Sequence, residues 1–476
     1  MIVKHNPEAL LKGQRAILIN PPIYDTQYWA RWSQPHGLLK VATWLKSHNY
    51  TDIRLLDCLA TDEKRQVKFS RREVKDRGNI SKRINHYGWS WSKLRAELEK
   101  HADGTMFRPD EIWITSIMTY WWESTRDLVR IISEVFNGEL PRIYVGGIYP
   151  TLAPEHADKK LSDEADVVIV EGEICDEAAN SWTDLSLYED SVYGGIRPAY
   201  ALITGSRGCP FNCAYCAQLK LNNNSRKMRY RTPIDVADEL EEKYHKFKIR
   251  EIAFYEDNLL FNKEDFLARL DEIERRNLKF SIYAPEGIEP RLIETELLSK
   301  MRDAGFEKVH LALETIYDEI SAGWNRRQAT IEKFDRAVEI AKAAGYRVGS
   351  QDLNAFTIFG MPGESIRAVV DTALYASQRV GSVVPMLFTP VPGSILYEEH
   401  LDYFQEQGWD LQDLNGKLLP FLEYNQKFNP RLQASDFLEL ENFMFHLNSS
   451  KVFSERFDFA KENRVANTFR RVITSN

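Results

Sequence analysis

The chain has 476 residues, too many for one ordinary core, and its 43% hydrophobic content can bury two domains and a smaller appendage. Its 62 basic and 70 acidic residues leave a net charge of −8, which excludes an overall bias toward polyanions. No run approaches the roughly 20 apolar residues of a membrane span, the start lacks the apolar stretch of a signal peptide, and the five cysteines do not form a disulfide framework; a cytoplasmic protein is expected.

In chain order, an apolar run at 16–20 ends at Asn20, Pro21 and Pro22 and predicts a buried strand stopped by the prolines. Helical periodicity follows at 38–45, and further strands are expected at 53–57, 111–115, 142–145 and 166–170, with a helix over 123–135. Strands alternating with helices predict a parallel, doubly wound sheet, which binds ligands in the loops at the carboxyl ends of its strands. Those loops contain Asn20, Pro21 and Pro22; Ser116, Met118 and Tyr120; Gly146 and Gly147; and Glu171, Gly172 and Glu173. The glycine pair lets the backbone approach a flat ligand, although a Gly-Gly after a strand is usually only a turn.

Between the second and third of these strands, an insertion over about 60–104 carries Lys64, Arg65, Lys68, Arg71, Arg72, Lys75, Arg77, Lys82 and Arg83, followed by Tyr87, Trp89 and Trp91. It reads best as a solvated charged loop capping the site. Basic residues interleaved with aromatics also suit nucleic acid, and a phosphorylated substrate would fit as well.

From residue 200 the strand and helix pattern returns, with strands expected at 201–204, 252–255, 280–283, 309–313, 356–359 and 383–388 and a helix opened by Thr232 and Pro233. Directly after the first of them comes Gly208-Cys209-Pro210-Phe211-Asn212-Cys213-Ala214-Tyr215-Cys216. Three thiolates at spacings of four and three residues suit three irons of a four-iron, four-sulfur cluster and leave the fourth iron open to a ligand. Zinc and a redox pair are the alternatives, but zinc prefers four ligands and no His or fourth Cys lies near in sequence. Cys58 and Cys175 stand alone and read as small packed residues.

The loop resembles the signature of the radical S-adenosylmethionine (radical SAM) superfamily, C-x3-C-x-aromatic-C, with Tyr215 in the aromatic place. The resemblance implies a partial (β/α)6 TIM-type barrel, an open iron that chelates S-adenosylmethionine (SAM), and reductive cleavage of SAM to a 5'-deoxyadenosyl radical. It also implies an external electron donor of flavodoxin or ferredoxin type. On barrels of this kind sites lie at the carboxyl ends of strands. There the resemblance carries SAM contacts onto Tyr215, onto Glu256, Asp257 and Asn258 at the amino group, onto Glu314 and Thr315 near the ribose and carboxylate, and onto Gly360 and Pro362 in the turn beside the adenine.

The loops of the first third, with 34–38, resemble the cobalamin-binding domain fused to one large subfamily, and the turn Pro390-Val391-Pro392-Gly393-Ser394 resembles that subfamily's P-x-P-G-[ST]. The D-x-H-x-x-G loop that supplies a lower cobalt ligand elsewhere is absent. His36 and His156 stand outside any such motif, so Met118, Tyr120, Trp121 or Trp122 is expected to crowd the lower face of the corrin; the alternative is a domain that keeps the fold without cobalamin. From 398 the chain reads as a helical cap, with Phe437, Leu440, Phe443 and Leu447 at helical spacing.

The expected layout is a cobalamin-type Rossmann-like domain over 1–190, a radical SAM barrel over 191–397 and a helical region over 398–476. The expected function is a radical SAM enzyme, implied to be a cobalamin-dependent methyltransferase of an unactivated carbon; the rivals are non-methylating radical chemistry and a non-catalytic metal-binding module. Small-molecule, lipid and peptide substrates remain open, and nucleic acid is not expected. No substrate acid, base or hydrogen donor emerges, although Tyr120, Trp121, Trp122, Tyr283, Glu286 and His310 are placed to face a cavity.

Overall fold

The computed structural model describes residues 1–28, 31–60, 67–77, 80–348 and 351–453. Lys64 and Arg65 of the basic insertion, and the tail beyond 453, lie outside these residues. Strands β1 (Ile2–Lys4), β2 (Arg15–Asn20), β4 (Asp52–Asp57), β7 (Glu111–Thr115), β8 (Arg142–Gly146) and β9 (Val167–Glu171) form a six-stranded sheet in the order β1-β9-β8-β7-β2-β4, parallel throughout. Ile17, Leu18 and Ile19 of β2 are buried on both faces, which is why the strand reads as a continuous apolar run instead of an alternation. The five strands expected in this region are all present. The sixth, β1, was not anticipated: three residues are too few for a periodic signal, and its place is fixed by pairing Ile2 with Ile169.

Pro21 and Pro22 end β2, and the chain turns straight into β3 (Ile23–Asp25), which pairs antiparallel with β6 (Ile80–Tyr87), itself paired with β5 (Phe69–Arg77). The capping loop expected at 60–104 is therefore a β-hairpin followed by a helix, Trp91–Ala102, capped by the Ser90 hydroxyl. Nothing in the sequence marks β5 as a strand, because it is exposed along nearly its whole length and its apolar residues, Phe69 and Val74, are isolated and show no alternation. Arg72 is committed to Glu123 and Glu73 at 3.2 Å, and Lys75 reaches Asp413 in the tail at 2.5 Å. The hairpin is thus tied down to the rest of the molecule.

In the second half, β10 (Ala201–Ile203) leads into a short antiparallel pair, β11 (Ser206–Arg207) and β12 (Arg229–Tyr230). Then β13 (Glu251–Phe254) and β14 (Ser281–Tyr283) extend β10 as a three-stranded parallel sheet; β15 (Val309–Glu314), β16 (Leu353–Phe359) and β17 (Ser382–Leu387) form a second. A bridge between Ile288 and Leu311 joins the two sheets. Thr232 caps the helix Pro233–His245 as its sequence predicts. The long tail helix, Ala434–Phe453, covers the exposed edge of β17, where the Asn448 amide donates to Val383 O at 2.7 Å and accepts from Val383 N at 2.8 Å. One buried apolar cluster runs from Val3 to Leu447, so both sheets and the tail share a core. Among the described residues no helix is long and apolar enough to cross a membrane.

Candidate active site

The three-thiol loop lies at the carboxyl end of β10. Its entry depends on Gly208, at φ 101°, where a Cβ would meet Lys227 O at 2.7 Å. Its middle is held between two other segments: Ala214 N donates to Trp324 O at 3.0 Å, and Leu396 N donates to Ala214 O at 2.9 Å. Cys209 and Cys213 are half-buried and Cys216 is exposed. Burial raises the half-buried Cys209 and Cys213 thiols, because taking charge out of water disfavours the thiolate. An iron cation reverses that order and deprotonates a coordinating thiol. The Asn258 amide already donates to Cys209 Sγ at 3.7 Å, and Gln218 N to Cys216 Sγ at 3.4 Å, the weak donors that a cluster thiolate accepts.

The strand-end residues brace this loop. Asp257 accepts Gly208 N at 2.6 Å and Arg207 Nη1 at 3.2 Å. Glu256 is fully buried, accepting Gly205 N at 2.8 Å, Arg269 Nη1 at 2.6 Å and the Ser206 hydroxyl. Gly205 has to be a glycine, because a side chain there would run into the Arg269 guanidinium. The Glu256 carboxylate is therefore committed to fastening β13 to the loop entry, while Asp257 and Asn258 border the thiols themselves.

At the end of β15 a bulge puts Glu314 at φ 63°, unusual for a residue with a side chain. Its carboxylate meets Arg326 at 3.1 Å and accepts the Tyr215 hydroxyl at 3.3 Å. Arg326, only 3% exposed, also holds Glu289 at 3.0 Å, Ala312 O at 3.2 Å and the Tyr215 oxygen at 3.1 Å. Sequence reading missed Arg326: an Asn-Arg-Arg-Gln stretch looks like surface, and only the fold buries it. Thr315 is buried, its hydroxyl accepting Tyr317 N.

The turn after β16 places Gly360 at φ 81°, its N–H donating to Glu364 Oε2 at 2.9 Å. Burial raises the Glu364 carboxyl to about 8, since no cation faces it. Pro362 lies in the same turn, and the tail pins it: Asn425 accepts Gly363 N at 2.8 Å and donates to Met361 O at 2.9 Å. Nothing in the sequence flags Asn425.

Across from this loop stand the carboxyl ends of the six-stranded sheet. Asn20 is buried on Asp57 at 2.7 Å, with Pro21 and Pro22 beyond it, and Ser116 bonds Thr125 at 2.8 Å. Gly147, at φ 108°, has a reason other than ligand approach: a Cβ there would stand 2.5 Å from Ser116 O. Gly146 is open, with only an ordinary contact to Val170. Glu171 pairs with Lys4 at 2.7 Å, Gly172 N donates to the Thr151 hydroxyl at 3.0 Å, and Glu173 holds Arg229 at 2.6 Å and Arg207 at 3.3 Å, linking this sheet to the thiol loop.

Of the aromatics expected to crowd a corrin, Trp121 donates to Asp25 at 3.0 Å and the buried Trp122 donates to Gln412 at 2.8 Å. Both are turned into structure, which leaves Met118, 40% exposed, and Tyr120, with Ile148 exposed in the next loop. His36 is half-buried, with Nε2 on Thr204 at 3.2 Å and Nδ1 without a partner, and His156 lies between Tyr149 and Asp410 at 2.9 and 2.7 Å. Tyr283 lies under the Arg31 guanidinium, and Glu286 is exposed. His310 stacks on Phe356 at 5.2 Å and burial pushes it down to about 4.

Three thiols thus lie on one strand-end loop braced by carboxylates from the neighbouring strands, within parallel α/β sheets; among the described residues no three such side chains are gathered closely enough to hold a metal ion. Residues 203–376 match the model of the radical SAM superfamily, so the chain carries a radical SAM domain, whose cofactors are a 4Fe–4S cluster and SAM. The chain is 23% identical over 335 residues to the bacteriochlorophyllide d C-12(1)-methyltransferase of Chlorobaculum tepidum, covering 63% of this chain and 67% of that one. It is 24% identical over 303 residues to the anaerobic magnesium-protoporphyrin IX monomethyl ester cyclase of Rubrivivax gelatinosus, covering 62% and 51%. It thus spans between half and two thirds of these relatives. In fold it is similar to the radical SAM methyltransferase TsrM of Kitasatospora setae, solved with cobalamin and a 4Fe–4S cluster bound, at a TM-score of 0.60 and 14% identity, covering 82% of this chain and 78% of that one.

Proposed function

We propose that the protein is a radical SAM enzyme that methylates an unactivated carbon of a small-molecule substrate with the help of cobalamin. The observation that carries this reading is the loop of Cys209, Cys213 and Cys216 at the end of β10, within the radical SAM span and joined through Arg207 to Glu173, just beyond β9 of the second, parallel sheet. When bound, the cluster and SAM supply a radical able to take hydrogen from an unactivated carbon, and cobalamin supplies a methyl group to carbon. The chain's own residues hold these groups and keep water out.

The three cysteines bind the cluster, and Asp257 and Asn258 keep the loop shaped around it. Tyr215, Glu314 and Arg326 form a buried hydrogen-bonded wall beside it, with Thr315 at its base. Gly360 and Pro362 offer an open backbone edge to a flat ring, since a Cβ on Gly360 would meet nothing closer than 3.5 Å. Met118, Tyr120 and Gly146 line the corrinoid side, and no D-x-H-x-x-G loop supplies a histidine donor to the lower face. The two three-stranded sheets act as halves of an open six-stranded barrel over 191–397, the sheet over 1–190 forms the corrinoid half, and 398–476 caps them. An external flavodoxin- or ferredoxin-type protein supplies the electron. The methyltransferase name of one relative and the cobalamin in the TsrM structure support methyl transfer.

A second reading, radical chemistry without methyl transfer, is favoured by the relative named a cyclase. Anaerobically reconstituted, reduced protein is expected to form 5'-deoxyadenosine from SAM, and Cys213→Ala to reduce it to background. Formation that persists in the variant overturns the cluster assignment. Label from methyl-labelled SAM enters the product only under the first reading. An absorption spectrum of the protein with added cobalamin that shows histidine coordination would overturn the proposed lower face.

A further inference from the structure

A cavity of about 340 Å3 lies between the hairpin, the last barrel strand and the tail, lined by Lys82, Arg83, Asn85, Leu387, Lys417 and Glu441 among others. Leu387 ends β17, and its Cδ2 lies 3.5 Å from where a Cβ on Gly360 would stand, so the cavity adjoins the strand-end turn of the proposed SAM site. We propose that this cavity is the subsite for an oxyanion of the substrate, a carboxylate or a phosphate, held by Lys82 and Arg83 together with the Asn85 amide.

Three observations support the assignment. The first is charge. Among the described residues neither Lys82 nor Arg83 is in an ion pair, whereas Arg72 and Lys75 of the same hairpin are matched by carboxylates. Asp25, paired across β3 and β6 with Asn85, would repel an anion if it stood alone. It is already neutralised by Lys417 at 3.3 Å and hydrogen-bonded by Asn415 and Trp121 at 3.0 Å and by Thr26 N at 2.6 Å. Among the described residues that leaves two cations without an ion pair against Glu441, which lines the cavity from the tail helix.

The second observation is an unmet polar group. Asn85 is 8% exposed, its Nδ2 donates to the Tyr87 hydroxyl at 3.3 Å, and its Oδ1 has no partner. Leaving such an atom buried and unpaired costs about 1–3 kcal/mol. Either end of an amide can face the cavity, because Tyr87's hydroxyl can donate or accept. With Nδ2 inward, Asn85 gives a neutral donor beside the two cations, the combination that fixes an oxyanion in place.

The third is rigidity. Lys82 and Arg83 pair with Lys75 and Val74 of β5, the same strand pairs with β3 from Asn85 onward, and the hairpin is anchored to the tail through Lys75 and Asp413. Cations on a fixed strand give up less freedom on binding than cations on a loop. The proposal rests on the radical SAM reading only in calling the ligand a substrate; oxyanion binding stands apart from it.

The test is calorimetric titration of the full-length, anaerobically reconstituted protein with inorganic phosphate and, separately, with succinate at constant ionic strength. One of the two is expected to bind saturably at one site; phosphate points to a phosphorylated substrate and succinate to a carboxylate. The double substitution Lys82→Glu, Arg83→Glu, at positions outside the core, is expected to weaken that binding about tenfold or more, and Asn85→Ala about threefold to tenfold. A weakening in the charge variant with none in Asn85→Ala means diffuse attraction and overturns the site. So does the absence of saturable binding by either anion. Formation of 5'-deoxyadenosine in the absence of substrate, read as a check that both variants are folded and loaded, is expected to stay within about twofold of the parent, since none of the three positions touches the thiol loop or its brace. If the parent binds the anion and forms no 5'-deoxyadenosine, the radical SAM reading fails and the subsite survives.

Discussion

At the scale of single residues, the site depends on a few buried charges whose partners are far apart in sequence. Arg326 joins Glu314, Glu289 and Tyr215 where water cannot compensate the loss of any one of them. Arg326→Met strands two carboxylates and is expected to lower unfolding free energy by about 3–5 kcal/mol, read by denaturant titration. Adding Glu289→Gln and Glu314→Gln should restore much of it; a single substitution as stable as the parent would show that the arginine is no keystone. Glu364 gives a pH dependence. Unfolded, its carboxyl titrates near the ordinary glutamate value, while folded it keeps its proton up to about 8. The folded chain therefore carries the extra proton in between, and its stabilising effect is full below the lower value and is lost as pH rises through about 8. Melting temperature measured across this window should fall less steeply with pH in Glu364→Gln than in the parent.

At the scale of elements, strands supply the frame and short segments from elsewhere set its loops. The turn 360–363 is shaped from outside by the helix Leu422–Gln426, through Asn425. Asn425→Ala leaves an N–H and a C=O of that turn unpaired and is expected to cost about 1–3 kcal/mol. Since the turn is proposed to border the adenine, the KM for SAM in 5'-deoxyadenosine formation should rise about tenfold, with kcat changed less. An unchanged KM would mean that the turn is away from the nucleotide. The hairpin β5–β6 supplies the opposite lesson. It read as a charged loop, yet strand pairing from Phe69 and Tyr87 to Arg77 and Ile80 orders it, because a strand outside a core need not alternate apolar and polar residues.

At the scale of the whole molecule, the two halves hold each other. Glu173 of the six-stranded sheet grips Arg207 and Arg229 beside the thiol loop, His36 and Lys40 reach Thr204 at the end of β10, and one apolar cluster crosses both proposed boundaries. A chain built this way should unfold as one unit. Calorimetry of the intact protein is expected to give a single transition, and residues 191–397 expressed alone to lack one, since Leu422, Phe437, Leu440 and Leu447 of their shared core would be missing. Two separated transitions, or a fragment with a sharp melt of its own, would show that the halves are independent.

The sequence by itself determined the thiol loop, the alternation of strands and helices in both halves, and the strand ends from which site residues come. Cysteine spacing, runs of buried β-branched residues and helix caps such as Thr232 are local signals, set within a few residues by bonding and sterics. Only the tertiary structure decided which of those residues serve each other. It committed Glu256 to Arg269, turned Trp121 and Trp122 away from the strand ends, assigned Gly147 to the backbone of Ser116, and brought Arg326 and Asn425 in from segments with no motif. It also set Lys82 and Arg83 beside Asn85 and the end of β17. A buried charge is placed by its partner and a glycine is required by its neighbour, and both can lie a hundred residues away, beyond the reach of any local pattern.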